Sequence, residues 1–260
     1  MKYELLGTLR VVDGDRHSFI SAQKVEILLA ALLINSDHVV TADHLMAEIW
    51  GENLPRRATA GLHVYISEVR KFLGRPDRAE GPIVTRSPGY MLRRGSDVLD
   101  SQQFLELSEA GRRHLRGQRF EEAIDSFEQA LALWRGPVLG DIGQGPILRG
   151  FATRLTEQRM DCMEMLVDTQ LQFGRHRELV GLLYTLTAEN PLRETFHRQL
   201  MLALYRSERR ADALKVYQSA RQTLIDELGL EPCTPLQDLH RAILRTDHQA
   251  LELRAVAVAV

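Results

Sequence analysis

The sequence predicts a mainly α-helical protein with small β-sheets, in which an α+β domain precedes an all-α domain. Short strand-like segments alternate with helical patterns in the first hundred residues, whereas the remainder is helical throughout and contains an internal repeat. The chain has 260 residues, of which 44% are hydrophobic and 26% charged, and this is enough for two globular domains. We therefore expect one domain over 1–95, a second over 96–250 and a tail over 251–260.

The first forty residues combine a small sheet with a helix. Strand-like segments cover 2–6, 10–12 and 17–20, and Gly7 and the hairpin signal Asp13-Gly14-Asp15 separate them. We expect Ser21 to cap a helix that ends at Leu33. The residues predicted to lie in its core are Val25, Leu28, Leu29, Leu32 and Leu33.

A second helix is predicted from Ala42 to Trp50, after a short strand at Val39-Val40. Thr41 supplies the side-chain N-cap, and the inward residues are Leu45, Met46, Ile49 and Trp50. His44 and Glu48 share one face of this helix. Their spacing is not the His-Glu-x-x-His pattern of zinc sites, so we interpret both as surface residues.

The stretch from Arg56 to Gly74 has the features of a helix with two different faces. One face is apolar and is formed by Ala58, Leu62, Ile66, Val69 and Leu73, with Phe72 at its edge. The other face carries Arg56, Thr59, His63, Val64, Ser67, Arg70 and Lys71. Cations suit phosphates, small donors suit base edges, and an exposed valine suits thymine methyl groups. This face therefore fits a DNA major groove, although an ordinary surface helix also carries arginine and lysine.

The segment that follows this helix favours the DNA interpretation. Ile83 to Thr85 and Tyr90 to Leu92 are short strands, joined by a tight Ser-Pro-Gly turn with Arg86 at its base. A helix followed by a hairpin with a cation at its tip is the order of a winged helix. From Trp50 to Gly95 there are nine basic and four acidic residues, a net charge of +5 in a chain whose net charge is −2. This basic patch localises anion binding to one part of the protein.

The remaining composition excludes several other classes of protein. Cys162 and Cys233 lie far apart, which makes a disulfide scaffold or a cysteine metal site improbable and fits a reducing compartment. The chain has no apolar run long enough for a membrane span and no signal peptide at its start. We expect a cytoplasmic, nucleoid-associated protein without cofactors. The glycines of 140–145 lack the Lys-Ser/Thr of a phosphate loop, and no catalytic constellation stands out, so we expect no enzyme activity.

The second half contains an irregular repeat. Gly117 to Ala123, Gly174 to Val180 and Ser207 to Ala213 superpose, and an aromatic residue follows each four positions later: Phe127, Tyr184 and Tyr217. The last two copies start 33 residues apart, close to the period of about 34 in tetratricopeptide helix pairs, where an aromatic packs between helices. A Gly/Pro-rich loop, predicted over 136–150, interrupts the first two copies. We interpret the three methionines of 160–165 as core residues.

These motifs resemble a known family. The endings Leu45-Met-Ala-Glu-Ile-Trp-Gly51 and Val64-Tyr-Ile-Ser-Glu-Val-Arg-Lys-Phe-Leu-Gly74 and the wing Thr85-Arg-Ser-Pro-Gly-Tyr90 resemble the winged-helix effector domain of response regulators. Leu133-Trp-Arg-Gly-Pro137 and Glu227-Leu-Gly-Leu-Glu-Pro232 resemble a bacterial transcriptional activation domain. The whole chain is similar to the Streptomyces antibiotic regulatory proteins, which activate gene clusters of secondary metabolism.

The resemblance implies a set of partners and contacts. It places Tyr65 on the flank toward the backbone, Arg86 at the wing, and the following residues in or beside the major groove: Thr59, His63, Val64, Ser67, Arg70 and Lys71. Arg56 and Ser87 complete the set of residues that we expect to bind DNA. It implies a homodimer on direct repeats of double-stranded DNA at a promoter, and RNA polymerase with its sigma factor as partner. Glu68 stands where related domains often place a base-reading arginine, which leaves the base code open.

Two other functions are compatible with the residues. In the first, the chain is a peptide-binding adaptor that works through the groove of its helical repeat, and the basic helix is only solvated. In the second, it is a ligand-sensing regulator with a pocket between the repeat helices. The wing and the uneven charge oppose the first, whereas the sequence neither supports nor excludes the second.

Overall fold

A computed structural model describes residues 1–74, 81–140, 142 and 145–245 of the chain. Arg75 and Arg78, two of the cations in the basic patch, and the predicted tail lie outside the described residues. The strands are β1 (Lys2–Glu4), β2 (Arg10–Asp13), β3 (Arg16–Ser18), β4 (Val40–Thr41), β5 (Ile83–Arg86), β6 (Gly89–Leu92) and β7 (Val98–Leu99). The helices are α1 (Gln23–Ile34), α2 (Ala42–Trp50), α3 (Ala58–Phe72), α4 (Asp100–Arg116), α5 (Phe120–Ala132), α6 (Pro146–Gln172), α7 (His176–Glu189), α8 (Glu194–Arg206), α9 (Arg210–Leu228) and α10 (Thr234–Arg245). The predicted fold class is confirmed.

Two small sheets frame the first three helices. The N-terminal sheet has the strand order β3-β2-β1-β7, in which β1 pairs antiparallel with β2 and parallel with β7. The second sheet has the order β4-β6-β5, so β5 lies at its edge. Gly89 is required where β6 passes β4, because a Cβ atom there would lie 1.9 Å from the Val40 carbonyl oxygen. The second sheet thus holds the hairpin close to the chain that leads into α2.

The core of this region is formed by α1, which is buried on all sides from Val25 to Leu33, and by the apolar stripe of α3. All five core residues predicted for α1 are buried, as are all five predicted for α3. The prediction that Ser21 caps α1 is wrong, because the helix begins one residue later than expected and its N-cap is Ala22, with no side-chain hydrogen bond. Thr41 does cap α2 as predicted: the His44 amide donates to its Oγ1 over 3.2 Å.

Glu48 is not the surface residue that the sequence suggested. Its side chain is buried, and its carboxylate accepts hydrogen bonds from the amides of Ile147 and Leu148, over 2.8 and 3.1 Å. These amides belong to the first turn of α6, where N–H groups have no partner within the helix and a negative charge is favourable. A carboxylate in α2 therefore caps a helix that begins about a hundred residues later in the chain.

The chain forms two compact units. Among the described residues, the first comprises those of 1–106 and 129–159, and the second those of 107–128 and 160–245. Within the first unit, the Arg135 amide donates to the Leu6 carbonyl and the Leu139 amide to the Leu5 carbonyl. The predicted loop over 136–150 is shorter than expected, because Pro146 already opens α6. Proline is favoured at the first helical position, which lacks an intrahelical N–H bond in any case.

The second unit is built from helix pairs around one apolar core. Its largest cluster draws on α6 to α10 and includes Val167, Leu183, Phe196, Leu200 and Ile243. The aromatic residues of the repeat differ in how far they are buried. Phe127 and Tyr217 are buried, and the Tyr217 ring stacks on His240 with ring centroids 3.8 Å apart. Tyr184 is 43% exposed, so the prediction that it packs between helices is wrong. Among the described residues, the helices are all too short or too polar to cross a bilayer.

Candidate nucleic-acid interface

The two faces of α3 separate as the sequence predicted. The apolar stripe docks on the core, while Arg56, Thr59, His63, Val64, Ser67 and Lys71 are exposed at or just before the helix. Val64 is 54% exposed and is the apolar side chain on this face. Glu68 lies on the same exposed surface. The helix thus presents cations, small donors and one apolar group to solvent, a combination that can contact phosphates, base edges and thymine methyl groups.

The wing is a short hairpin next to this helix. β5 and β6 pair antiparallel in the register Ile83 to Leu92 and Arg86 to Gly89. The turn between them contains a cis peptide bond between Ser87 and Pro88. Arg86 and Ser87 are both exposed at this turn, as predicted. They offer a guanidinium and a hydroxyl at the tip, where neither side chain is needed to fill the core.

Arg70 is used differently from the other cations of α3. Its Nε donates to the Ile83 carbonyl oxygen over 3.2 Å, and its Nη2 donates to Thr85 Oγ1 over 2.9 Å. The side chain is half-buried, whereas Lys71 beside it is exposed. These two bonds join the last turn of α3 to the wing strand. Spacing along the sequence could not reveal them, because the acceptors lie 13 and 15 residues further along the chain.

A second group of side chains lies at the flank of α3. Tyr65 is half-buried, and its ring stacks on Trp50 with ring centroids 5.7 Å apart. Gly61 allows this approach, since a Cβ atom there would lie 3.2 Å from the Trp50 ring. The Nζ of Lys24, from the first turn of α1, lies 5.6 Å from the Trp50 ring centroid. Lys24 and the exposed Arg57 are cations that the sequence analysis did not select, since neither lies on the predicted face of the helix.

The described residues contain neither a cluster that could bind a metal ion nor a cysteine with a lowered pKa. Within them, no cluster of three or more histidine, cysteine or acidic side chains could hold a metal ion. Cys162 and Cys233 are free thiols. Burial raises the pKa of the Cys162 thiol, and the Ser108 hydroxyl donates to its sulfur over 3.6 Å. A buried thiol with a raised pKa is a structural residue and not a nucleophile.

Both halves of the chain match known protein families. Residues 99–244 match the family described as bacterial transcriptional activator domain. Residues 20–92 match the family described as transcriptional regulatory protein, C terminal. The first match alone covers more than half of the 260 residues. The chain belongs to the Streptomyces antibiotic regulatory proteins.

Relatives within this antibiotic regulatory family match nearly the full chain. The regulatory protein DnrI of Streptomyces peucetius is 35% identical over 95% of this chain and 93% of its own length. The transcriptional regulator RedD of Streptomyces coelicolor is 34% identical over 95% of this chain and 71% of its own. The regulatory protein AfsR of the same species is 38% identical over 98% of this chain, which spans 25% of AfsR. The names of the families and relatives are those of transcriptional regulators and not of enzymes.

A solved structure supports the assignment to this regulatory family. Mycobacterium tuberculosis EmbR, in complex with a low-affinity phosphopeptide, superposes with a TM-score of 0.89 and 32% sequence identity. The match covers 98% of this chain and 69% of the EmbR chain. The fold described above is therefore shared with a known transcriptional regulator.

Proposed function

We propose that this chain is a sequence-specific DNA-binding transcriptional activator of a secondary-metabolite gene cluster. The observation that carries the proposal is the exposed face of α3, which places cations, donors and Val64 beside the wing in a protein of a regulator family.

In this proposal α3 enters the major groove and the wing contacts the backbone. The base edges are contacted by Thr59, His63, Val64 and Ser67. Glu68 follows Ser67 on the same exposed face and can accept a hydrogen bond from the amino group of cytosine. The phosphate contacts come from Arg56, Lys71, Arg86 and Ser87, with Tyr65 on the flank. Phosphate neutralisation supplies most of the affinity, and the central residues of the helix supply most of the discrimination.

The helical domain, proposed over 96–250, has the second role in activation. We assign to it the pairing of two protomers head to tail on direct repeats that overlap a promoter, and contact with RNA polymerase and its sigma factor. The match of 99–244 to the bacterial transcriptional activator domain, and relatives named as a transcriptional regulator and a regulatory protein, support a role in activation. We expect the protein to be located in the cytoplasm, on the nucleoid.

Footprinting with the full chain on regions upstream of neighbouring genes tests the proposal. We expect protected half-sites spaced by multiples of about 10–10.5 base pairs, so that both lie on one face of the duplex. His63→Ala and Ser67→Ala should each cost about 1–3 kcal/mol on the protected site and leave affinity for random DNA unchanged. His17→Ala, at an exposed position in β3, is the matched control and should leave both affinities unchanged.

Two outcomes would count against this function. An equal loss of affinity on random DNA would show that His63 and Ser67 do not read bases. The absence of protection, together with no gel shift on random DNA at low salt, would contradict DNA binding as a whole.

A second candidate function rests on the groove between α7 and α9. This groove has a volume of about 260 Å³, and Tyr184, Thr187, His197, Leu200, Asp212 and Lys215 contribute to its lining. The exposed Tyr184 ring could take a peptide or a small ligand there. If the gel shift on random DNA fails, the peptide-binding adaptor becomes the preferred function. A ligand-sensing role remains compatible with DNA binding.

A further inference from the structure

The guanidinium of Arg70 directs two of its donors at a single strand. Nε bonds the Ile83 carbonyl and Nη2 bonds the Thr85 hydroxyl, and both acceptors belong to β5. The acceptors are a backbone carbonyl and a side-chain hydroxyl two residues apart on one strand, and the planar fork of donors in a guanidinium reaches both. The spacing of the acceptors therefore fits an arginine better than a lysine.

β5 needs such a partner because it is the edge of its sheet. The strand pairs with β6 on one side only, in the order β4-β6-β5. An edge strand leaves half of its backbone groups without a ladder partner, and the Ile83 carbonyl is satisfied by Arg70 instead. Arg86 ends the same strand, only one residue after Thr85. A contact that holds β5 against α3 therefore also positions the backbone of Arg86.

We propose that Arg70 is a positioning residue, which holds the wing strand against α3 so that Arg86 and the helix reach DNA together. This inference rests on the proposed DNA-binding function and refines it at one residue. The competing role is a direct phosphate contact, which the charge of Arg70 alone would suggest. The two roles differ in one respect: a positioning residue acts through Arg86, and a phosphate contact acts independently of it.

A thermodynamic cycle on the full chain separates the two roles. Arg70→Lys and Thr85→Val are each made in the wild-type protein and in Arg86→Ala, and affinity for the footprinted DNA site is measured over a range of salt concentrations. Lysine keeps the charge but loses the planar fork, and valine keeps the shape of threonine but removes the acceptor hydroxyl. We expect each to weaken binding in the wild type by up to the factor that Arg86→Ala causes. In Arg86→Ala the further loss should be below about twofold, because a residue that acts through Arg86 has little left to position once Arg86 is gone; a twofold margin is about the error within which independent effects add.

Lys71→Gln is the matched control, since Lys71 lies next to Arg70 but is exposed. We expect it to weaken binding by the same factor in both backgrounds. It should also reduce the slope of log affinity against log salt by about 0.9, the value for one phosphate contact. Additivity at Lys71 and non-additivity at Arg70 would together support the inference.

Several results would overturn it. Wild-type affinity and salt slope in Arg70→Lys would show that only the charge matters, as for a phosphate contact. Equal losses in both backgrounds would show that Arg70 acts independently of Arg86. Thr85→Val changes neither charge nor helix, so it tests the contact even if the Arg70 variants fold poorly, and wild-type binding by this variant contradicts the inference. If the wild-type chain binds no DNA, the proposed function itself fails.

Discussion

The cations of the α3 surface and two arginines of the second unit, called the helical unit below, are the same residue types in opposite roles. Arg56, Arg57, Lys71 and Arg86 are exposed, and none forms an ion pair with another residue in the described parts of the chain. In the helical unit, Arg193 binds Asp161 over 3.0 Å, and Arg198 binds Asp168 over 3.1 Å. Arginine content alone therefore does not locate a binding surface.

Burial explains why the two groups differ. The side chains of Arg198 and Asp168 are each 18% exposed, so each charge is partly removed from water and needs the other. An exposed cation on α3 keeps its hydration and costs little without a partner. When such a cation neutralises a DNA phosphate, counterions condensed on the DNA are released. This release is the main source of affinity in DNA binding.

The largest effect we expect on folding comes from the paired group. Arg198→Ala leaves the half-buried Asp168 without its partner and should lower the free energy of unfolding by about 1.5–3 kcal/mol, the range for hydrogen bonds to charged groups. Urea unfolding of the full chain measures it. Arg241→Ala is the control, because its pair with Asp238 is more exposed and should be worth less than about 1 kcal/mol. Equal losses of unfolding free energy in the two variants would show that burial does not determine how much these ion pairs contribute.

Arg86→Ala should show the opposite profile. We expect the free energy of unfolding to stay within about 0.5 kcal/mol of wild type, because Arg86 is exposed at the wing turn. Affinity should fall to a similar degree on every DNA sequence, and the salt slope should decrease by about 0.9. Titrations at several salt concentrations on specific and random DNA measure both. An unchanged slope would remove Arg86 from the interface.

Much of the fold could be predicted because its signals are local. The buried stripe of α3 follows from helical spacing, the burial of α1 from its run of apolar residues, and the positions of β5 and β6 from strand composition around a Ser-Pro-Gly turn. The repeat was also visible, since α7 and α9 begin shortly after Gly174 and Ser207. The exposed residues chosen on α3 do share one surface, and their contact with DNA remains a prediction.

The errors arose where a distant residue decides the outcome. Glu48 is buried because α6 needs a cap, and no pattern near residue 48 contains that information. Arg70 binds the wing because an edge strand lies beside it, which helical spacing cannot indicate. Tyr184 occupies the repeat position of a core aromatic but is exposed, which shows that an aromatic at the expected spacing does not by itself determine burial.

The smallest expected effect concerns pH and the helical unit alone. Burial lowers the pKa of His197, although a hydrogen bond between its Nε2 and the Pro191 carbonyl oxygen and the nearby Glu194 oppose the shift. The unfolded chain should take up a proton near the ordinary value of 6.5, before the folded chain does. Stability should therefore fall as the pH drops below 6.5, and it should level off below the folded pKa.

His197→Gln removes this titration while keeping a side chain that can donate to the Pro191 carbonyl. We expect its free energy of unfolding, measured in urea at a series of pH values between about 7.5 and 5, to depend less on pH than that of the wild type. Some dependence should remain, because burial also lowers the pKa of His240, which stacks on Tyr217. If His197→Gln keeps the full wild-type dependence, the buried imidazole is not its source, and the acid sensitivity must come from other groups of the chain.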